Sequence, residues 1–312
     1  MQMPTVPYSV AVIIPCLNEA AAIGQVVKDF RQALPEAVVY VFDNDSEDET
    51  QAEATRAGAL VRKVSARGKG NVVRRMFADI EADIYLMADG DATYDASAAP
   101  GLIEMLVREQ LDMVVGCRVE DSAAAYRAGH ALGNRLFNRF LSLLFARPCR
   151  DIFSGYRAFT KRFVKSFPAQ STGFETETEL TVHALELNMP IGYYDTRYGA
   201  RPEGSASKLN TYRDGLRILL TMLRLFRIER PFAFFSLIGS LLALVAVGLS
   251  VPLLLTYLDT GLVPRFPTAI LATGLMLLAA LSVFSGLVLD TVAHGRREVK
   301  MLAYLAISAI SI

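Results

Sequence analysis

The sequence predicts an α/β protein: a doubly wound, mostly parallel sheet with interfacial amphipathic helices, followed by a C-terminal two-helix transmembrane hairpin. Three observations predict it. Over residues 9–115, short β-branched runs alternate with helix-like stretches, the signature of successive βα units. Near Arg230 the hydropathy changes abruptly. Beyond that point, residues 232–257 and 268–289 contain no charged side chain.

Composition sets the frame for these elements. Of 312 residues, 52% are hydrophobic and 21% charged, which is too apolar for a wholly soluble chain and too charged for a wholly buried one. Lysine plus arginine balances aspartate plus glutamate at 32 each, so there is no charge signal for nucleic acid. Cys16, Cys117 and Cys149 are odd in number and lack metal-ligand spacing, which points to reduced thiols rather than a disulfide frame or a zinc site. The opening MQMPTVPYSVAVIIP has no basic region before its short apolar run. It reads as a strand rather than a signal peptide, so the N-terminal part is expected in the cytoplasm.

The β-rich runs come in order, and each leads into polar residues. VAVIIP is followed by Pro15, Cys16, Leu17, Asn18 and Glu19. AVVYVFD ends at Asp43 and continues into Asn44, Asp45, Ser46, Glu47 and Asp48. ALVRKV leads to Arg67-Gly68-Lys69-Gly70-Asn71, and DIYLMAD to Asp89-Gly90-Asp91. In open α/β sheets ligands bind outside the carboxyl ends of the strands, so one crevice collects several carboxylates and a glycine-flanked lysine. That donor set suits a divalent cation and a diphosphate.

Other site chemistries fail on spacing. No G-x-G-x-x-G follows the first strand, and Gly68-Lys69-Gly70 lacks the rest of a P-loop. The acidic run from Asp43 has Ala54 where an EF-hand needs its last glutamate. His130, His183 and His294 are isolated, and no G-x-S-x-G elbow is present. A D-x-D is common in surface turns, but Asp89 and Asp91 follow a β-rich run, with Asp43 after an earlier one. Mg²⁺ or Mn²⁺, which takes one or two carboxylates plus phosphate oxygens, fits that placement.

Helical elements follow. Residues 126–145 set Arg127, Arg135 and Arg139 beside Leu132, Leu136, Phe140 and Leu144, an amphipathic helix suited either to its own domain or to a headgroup layer. Arg213, Arg217, Arg224 and Arg227 share one helical face, with Leu216, Leu220 and Leu223 around the rest. Residues 232–257 and 268–289 are each long enough to span a bilayer, with Pro252 a site for a kink. Arg224, Arg227 and Arg230 precede them and Arg296, Arg297 and Lys300 follow, while the short connection holds only Asp259 and Arg265. This asymmetry puts both outer ends in the cytoplasm, and no ionisable residue mid-span suggests a transport path. The expected domains are a cytoplasmic catalytic domain over residues 1–209, with an interfacial helix at about 123–147; a juxtamembrane helix over 210–230; a hairpin over 231–292; and a cytoplasmic tail over 293–312.

VIIPCLNEA, FDNDSEDET, GKGN, ADGD and DIFSGYR together resemble the successive motifs of family-2 glycosyltransferases of the GT-A fold. More narrowly, DIFSGYRAF, GFETETEL and RPEGSASKL followed by an anchor resemble the polyprenyl-phosphate glycosyltransferases of the dolichyl-phosphate mannose synthase type. The resemblance covers nearly the whole chain; Tyr156 stands where many relatives have Phe.

The resemblance implies roles for individual residues. Pro15, Asn18, Glu19, Asp43, Lys69, Asp89 and Glu175 would bind the nucleotide-sugar, with Asp43 at the base and Glu175 at the sugar. Asp89 and Asp91 would hold Mg²⁺ or Mn²⁺. Arg118 and Arg135 would hold the acceptor phosphate, Asp151 would lie over the active site, and Arg201, Ser205 and Lys208 would close on the phosphates. The implied reaction is inverting transfer of a sugar from a UDP- or GDP-linked donor to polyprenyl phosphate, at the cytoplasmic face of the inner membrane. A phosphate monoester is largely a dianion near pH 7, so it needs positioning more than deprotonation, and a base role for Asp151 stays open. A family-2 transferase acting on a glycan, and a non-enzymatic membrane scaffold, remain as alternatives. The sugar, the nucleotide and the oligomeric state, homo-oligomer included, stay open.

Overall fold

The computed structural model describes residues 8–120, 128–170, 175–199 and 211–310; the side chains of residues 120, 128–136 and 211–219 lie outside that description. The chain divides into two compact units, residues 1–212 with 299–312, and residues 213–298.

The first unit is built on a seven-stranded sheet. Its strands are β1 (Val10–Cys16), β2 (Val38–Asp43), β3 (Leu60–Lys63), β4 (Ile84–Met87), β5 (Met113–Glu120), β6 (Arg157–Thr160) and β7 (Ile191–Tyr198), in the order β3-β2-β1-β4-β6-β5-β7. All pairings are parallel except those of β6, which runs antiparallel to both β4 and β5. The mostly parallel, doubly wound sheet expected from the alternating runs is therefore present. After β3 the chain returns to the other side of β1 to form β4, so the winding reverses between those two strands. A crevice opens at such a reversal, at the carboxyl ends of β1 and β4.

Alternation explains the two cores. In β1, Ala11 and Ile13 face one layer, where Val73, Met76 and Phe77 of α3 (Lys69–Asp79) pack with Phe163 and Leu180. Val12 and Ile14 face the other, against Ile23, Val27 and Phe30 of α1 (Ala20–Ala33) and Leu102 and Leu106 of α4 (Ala99–Arg108). Every residue of β4, Ile-Tyr-Leu-Met, is buried, as a central strand covered on both faces requires. The antiparallel β6 has a direct consequence for the site. Its start, Arg157, pairs with Met87 and Val115, so the segment before it emerges at the same sheet edge as Asp89 and Arg118.

Besides the short α2 (Thr50–Arg56) after β2, three further described helices of this unit surround the site. On α5 (Ala128–Phe145), Phe137 and Leu141 are buried, with Phe137 stacked on Phe153 at 5.3 Å, while Leu143 is 76% exposed. One face of this helix therefore packs on its own domain, and Arg139 and Leu143 are exposed on another. Helix α6 (Lys161–Ser166) follows β6, capped by the Thr160 hydroxyl, which accepts from the Phe163 N–H. The acidic alternation of FETETEL opens α7 (Thr176–Glu186) rather than a strand.

The second unit is helical, running from α8 (Thr211–Glu229) through α9 (Pro231–Thr260) into α10 (Phe266–Leu305). Helices α9 and α10 are long and apolar enough to cross a membrane; only 11% and 17% of their most apolar windows are buried, so they are not core helices. They meet through small residues. A Cβ on Gly239 would lie 2.9 Å from the Ala279 carbonyl oxygen, and the Ser282 hydroxyl donates to the Phe235 carbonyl at 2.9 Å. The two apolar helices thus pack as a hairpin. Helix α9 continues through Pro252, and α10 extends past the uncharged stretch to Leu305.

Candidate active site

The site grows from loops that follow β1, β2 and β4. After β1, Asn18 takes a left-handed φ of 56° that asparagine tolerates better than most residues. Its N–H donates to the Ser46 hydroxyl at 2.9 Å and its Oδ1 accepts from the Glu47 N–H at 2.9 Å. The Glu19 N–H donates to the Thr50 hydroxyl at 2.9 Å. The β1 and β2 loops are thereby sewn together, and the Asn18 side chain acts as a splint within that wall.

Asp43 is wholly buried at the end of β2. Its Oδ2 accepts from Gln51 Nε2 at 2.7 Å and from the Ser46 N–H at 3.2 Å, while Oδ1 has no hydrogen-bond partner among the described residues. A buried carboxylate oxygen without a donor is costly, and such groups mark places where something else binds. Next to it, Asn44 ties down the third loop. Its amide donates to the Val64 and Ala66 carbonyls at 3.1 and 2.8 Å, and its oxygen accepts from the Gly68 N–H at 2.7 Å. Gly68, with φ of 122°, makes the turn that only glycine adopts easily and delivers Lys69 as the first residue of α3.

Lys69 is the centre of the crevice. Its ammonium lies 2.5 Å from Asp89 Oδ1 and 2.5 Å from Glu177 Oε1, with both glutamate and lysine largely buried. Burial alone would lower the lysine pKa; the two carboxylates outweigh it and hold the group firmly charged. Asp91, buried, accepts from the Thr93 hydroxyl at 2.6 Å and the Thr93 N–H at 3.2 Å. Burial, then Glu19, Asp43, Asp89 and Asp91, pushes the Cys16 thiol well up, so this thiol is a neutral packing group in an electronegative crevice. Two strand-end carboxylates with hard oxygen donors fit Mg²⁺ or Mn²⁺, which need few protein ligands when phosphates supply the rest.

The second half of the site comes from β5 and the segment before β6. Arg118 grips Asp151 as a fork: Nε donates to Oδ2 and Nη2 to Oδ1, both at 2.8 Å, and the Arg118 N–H adds a third bond at 3.2 Å. The guanidinium also lies 5.4 Å from the Tyr198 ring centroid. Burial alone would raise the Asp151 carboxyl, but Arg118 outweighs it and holds the group below its ordinary range. Asp151 therefore serves as the fixed seat of Arg118 and is a poor proton acceptor.

The rest of D-I-F-S-G-Y-R frames this pair. Ser154 donates to the Gly116 carbonyl at 2.6 Å, and the Gly155 N–H donates to the Tyr94 hydroxyl at 2.8 Å. A Cβ on Gly155 would come within 2.6 Å of Asp89 Oδ2, so this glycine lets the two halves approach. Arg157 is wholly buried, donating to Ser154 O, Ile152 O and Thr181 Oγ1 at 2.8, 2.6 and 2.8 Å. It is an internal brace under the motif.

Of the residues singled out in the sequence, Asp43, Lys69, Asp89, Asp91, Arg118 and Asp151 converge on this edge, beside the wall made by Pro15, Asn18 and Glu19. Glu175 is partly exposed just before α7, whereas Glu177, one turn-position inward, reaches Lys69. Arg135 lies in α5, but its side chain is outside the described residues, as are Arg201, Ser205 and Lys208 altogether. Gln51, Tyr94 and Glu177 were not legible in the sequence, because each is defined by a partner from another segment, and Thr93 only by its hydroxyl bond to Asp91.

A family model described as glycosyl transferase family 2 matches residues 11–167. Glycosyltransferase AglJ of Haloferax volcanii is 37% identical over 257 residues, covering 82% of this chain and 83% of the relative. A dolichyl-phosphate hexose transferase of the same organism is 25% identical over 212 residues, covering 67% of this chain and 90% of the relative. Among solved structures, glucosyl-3-phosphoglycerate synthase of Mycobacterium tuberculosis, in complex with Mn²⁺, UDP and its product, shares the fold. The TM-score is 0.56 at 23% identity, over 69% of this chain and 80% of that one.

Proposed function

The chain belongs to glycosyl transferase family 2, and from that premise we propose that it transfers a sugar from a UDP- or GDP-linked donor to the phosphate of a polyprenyl lipid. The observation that carries the lipid acceptor is the pair of largely unburied apolar helices, α9 and α10, in the same chain as the crevice. A relative named for dolichyl-phosphate hexose transfer supports the same reading. The hairpin keeps the enzyme at the bilayer that holds its acceptor. Arginines outside the two spans, against a short connection with only Asp259 and Arg265, favour a multi-pass inner-membrane protein with its crevice in the cytoplasm.

In this reading Asp43, through its unpartnered Oδ1, accepts from the donor base, and the Asn18–Glu19 wall shapes the nucleotide pocket. Asp89 and Asp91 hold Mg²⁺ or Mn²⁺, which neutralises charge on the departing nucleoside diphosphate. Lys69 adds a second positive charge beside the diphosphate. Arg118, already oriented by Asp151, offers its guanidinium to the acceptor phosphate, with Arg135, Arg201, Ser205 and Lys208 as further phosphate contacts and Glu175 as a sugar contact. Guanidinium suits phosphate because its donors form a planar fork. A phosphate oxygen attacks C1 of the sugar, the C1–O bond to the diphosphate breaks, and its electron pair leaves with the diphosphate. Direct attack inverts the anomeric centre. No proton needs to leave the dianionic nucleophile, which agrees with an Asp151 held ionised by Arg118.

The test uses full-length protein in membranes with polyprenyl phosphate and a panel of radiolabelled UDP- and GDP-sugars. One donor should label the organic phase, EDTA should abolish the labelling, and Mg²⁺ or Mn²⁺ should restore it. Label appearing only in a water-soluble glycan would overturn the lipid acceptor, and full transfer in excess EDTA would overturn the metal.

A further inference from the structure

Lys69 stands between two carboxylates that do different work. Asp89 follows a strand end and pairs with Asp91 as the cation-holding set proposed above; Glu177 comes from the first turn of α7 and is 5% exposed. The ammonium is 2.5 Å from an oxygen of each. A charged lysine thus occupies Oδ1 of Asp89, one of the two oxygens with which Asp89 would hold a divalent cation. Two cations cannot share one carboxylate oxygen without mutual repulsion. Moving Lys69 off Asp89 with no other partner would strand a buried ammonium, a costly outcome.

Glu177 removes that cost. We propose that Glu177 is a positioning residue: it keeps the Lys69 ammonium in the crevice when Asp89 turns to a divalent cation, so that lysine and metal act together on the donor diphosphate instead of competing for Asp89. This rests on the reading of Asp89 and Asp91 as metal-holding residues. The surroundings of Glu177 fit an anchor. Its carbonyl accepts from Thr181 Oγ1 at 3.1 Å, and Thr181 accepts in turn from the buried Arg157 at 2.8 Å, so the first turn of α7 is braced against the D-I-F-S-G-Y-R segment. Lysine is also the right residue to hand over. Its ammonium ends a flexible stem with three donors, so it can release Asp89 while keeping Glu177, which a guanidinium locked in a fork cannot do.

The proposal makes variants at two neighbouring residues move metal affinity in opposite directions. Mn²⁺ binding to the detergent-solubilised full chain would be followed by electron paramagnetic resonance, alone and with UDP or GDP. Lys69→Met removes the competing cation and should tighten Mn²⁺ binding without nucleotide by about fivefold or more, while losing most of the gain that nucleotide brings. Glu177→Gln leaves Lys69 with Asp89 alone and should weaken Mn²⁺ binding by about fivefold or more. Glu177→Asp should recover part of the loss. In the Lys69→Met background, Glu177→Gln should change Mn²⁺ affinity by less than about twofold, since the lysine it positions is gone. A full-sized loss in that background would overturn the proposal, because Glu177 would then be acting on the metal or the fold directly. So would wild-type Mn²⁺ affinity in Glu177→Gln, provided its thermal unfolding shows a folded protein. If the wild type binds Mn²⁺ neither alone nor with UDP or GDP, the metal reading itself falls, and that result is distinct from unchanged affinity in a metal-binding protein.

Discussion

Two aspartates at opposite ends of the same sheet are equally buried and differently used. Asp112 lies just before β5 and Asp43 ends β2; both are 0% exposed. Asp112 is saturated. Its Oδ1 accepts from Thr160 Oγ1 at 2.9 Å and from Arg162 Nε; its Oδ2 accepts from Arg162 Nη2 at 3.0 Å and from the Tyr304 hydroxyl at 2.8 Å. Arg162 also lies 4.8 Å from the Tyr304 ring centroid. Among the described residues, Asp43 has donors on one oxygen only. Burial alone would rank these residues together. Completeness of hydrogen bonding separates them: the saturated end of the sheet is built to stay closed, and the unsaturated end has acceptor capacity left over.

The largest expected effect tests whether the unsaturated end carries the chemistry. Asp91→Ala should lower turnover by about 1,000-fold or more if, as proposed, its carboxylate holds a cation whose loss costs several kcal/mol of charge stabilisation. The Thr93 hydroxyl and N–H would lose their contacts to the carboxylate, roughly 1 kcal/mol. Transfer assays beside thermal unfolding check both halves. A comparable collapse in melting temperature would mean that Asp91 belongs with Asp112 as a structural residue.

The complementary break is Asp112→Ala. It strands the Arg162 guanidinium and leaves the Thr160 and Tyr304 hydroxyls short of an acceptor. Breaking a buried pair from one side costs about 3–5 kcal/mol, and the lower figure applies because Arg162 is 20% exposed. The melting temperature should fall by roughly 6–12 °C. Calorimetric nucleotide affinity of the folded fraction should remain within about twofold; a larger loss would tie the two sheet ends together.

Arg118 and Asp151 lie between these extremes, saturated with each other yet at the open end. Arg118→Lys keeps the charge but loses the fork, and should raise the acceptor KM about tenfold. The pH profile sharpens the point. The Asp151 carboxyl is held below its ordinary value, so the pair's contribution to stability is present above the unfolded carboxylate pKa and is lost only as pH falls through the lower folded value. Asp151 therefore stays ionised throughout pH 5–8, and an acid limb near about pH 6 belongs to the acceptor phosphate. Asp151→Asn should lower the rate without moving that limb. A limb that disappears with Asp151→Asn would restore a base role.

Much of this contrast was legible in the residues, and the illegible part has physical causes. The parallel strands β1, β2 and β4 announce themselves because buried strands are β-branched runs, and their polar ends follow directly. Strand β6 is four residues, Arg-Ala-Phe-Thr, including a wholly buried arginine whose partners Ile152, Ser154, Met113 and Thr181 come from three other segments. Nothing local marks it as a strand, yet its antiparallel insertion brings Asp151 to the site. The alternation in FETETEL does not say which of Glu175, Glu177 and Glu179 faces inward until the start of α7 at Thr176 is known. The uncharged stretch ends at Leu289, but α10 continues to Leu305, where Lys300 meets the buried Glu186 at 2.6 Å and Tyr304 meets Asp112. Those are contacts between residues far apart in the chain, invisible to hydropathy.

The smallest effect is also the most direct test of the opening comparison. Asp43→Asn keeps shape and volume, and its side-chain oxygen can still accept from Gln51 and the Ser46 N–H. What changes is the other position: an acceptor oxygen without a partner becomes an amide donor. If that oxygen accepts from the nucleotide base, the variant faces a donor with a donor, and UDP or GDP affinity should fall about tenfold, as the loss of a charge-assisted bond of roughly 1.5–3 kcal/mol allows. Stability should move the other way or not at all, because a buried charge with unsatisfied capacity is being neutralised. The same exchange at Asp112, where both oxygens already accept, must break at least one bond and should lower the melting temperature. Calorimetry with UDP and GDP and thermal unfolding of Asp43→Asn and Asp112→Asn give four readings. Weaker binding with unchanged stability at 43, and unchanged binding with lower stability at 112, is the expected crossing pattern. A stability loss at Asp43→Asn with normal nucleotide affinity would mean that its spare oxygen faces no ligand, and the distinction between the two ends of the sheet would fail.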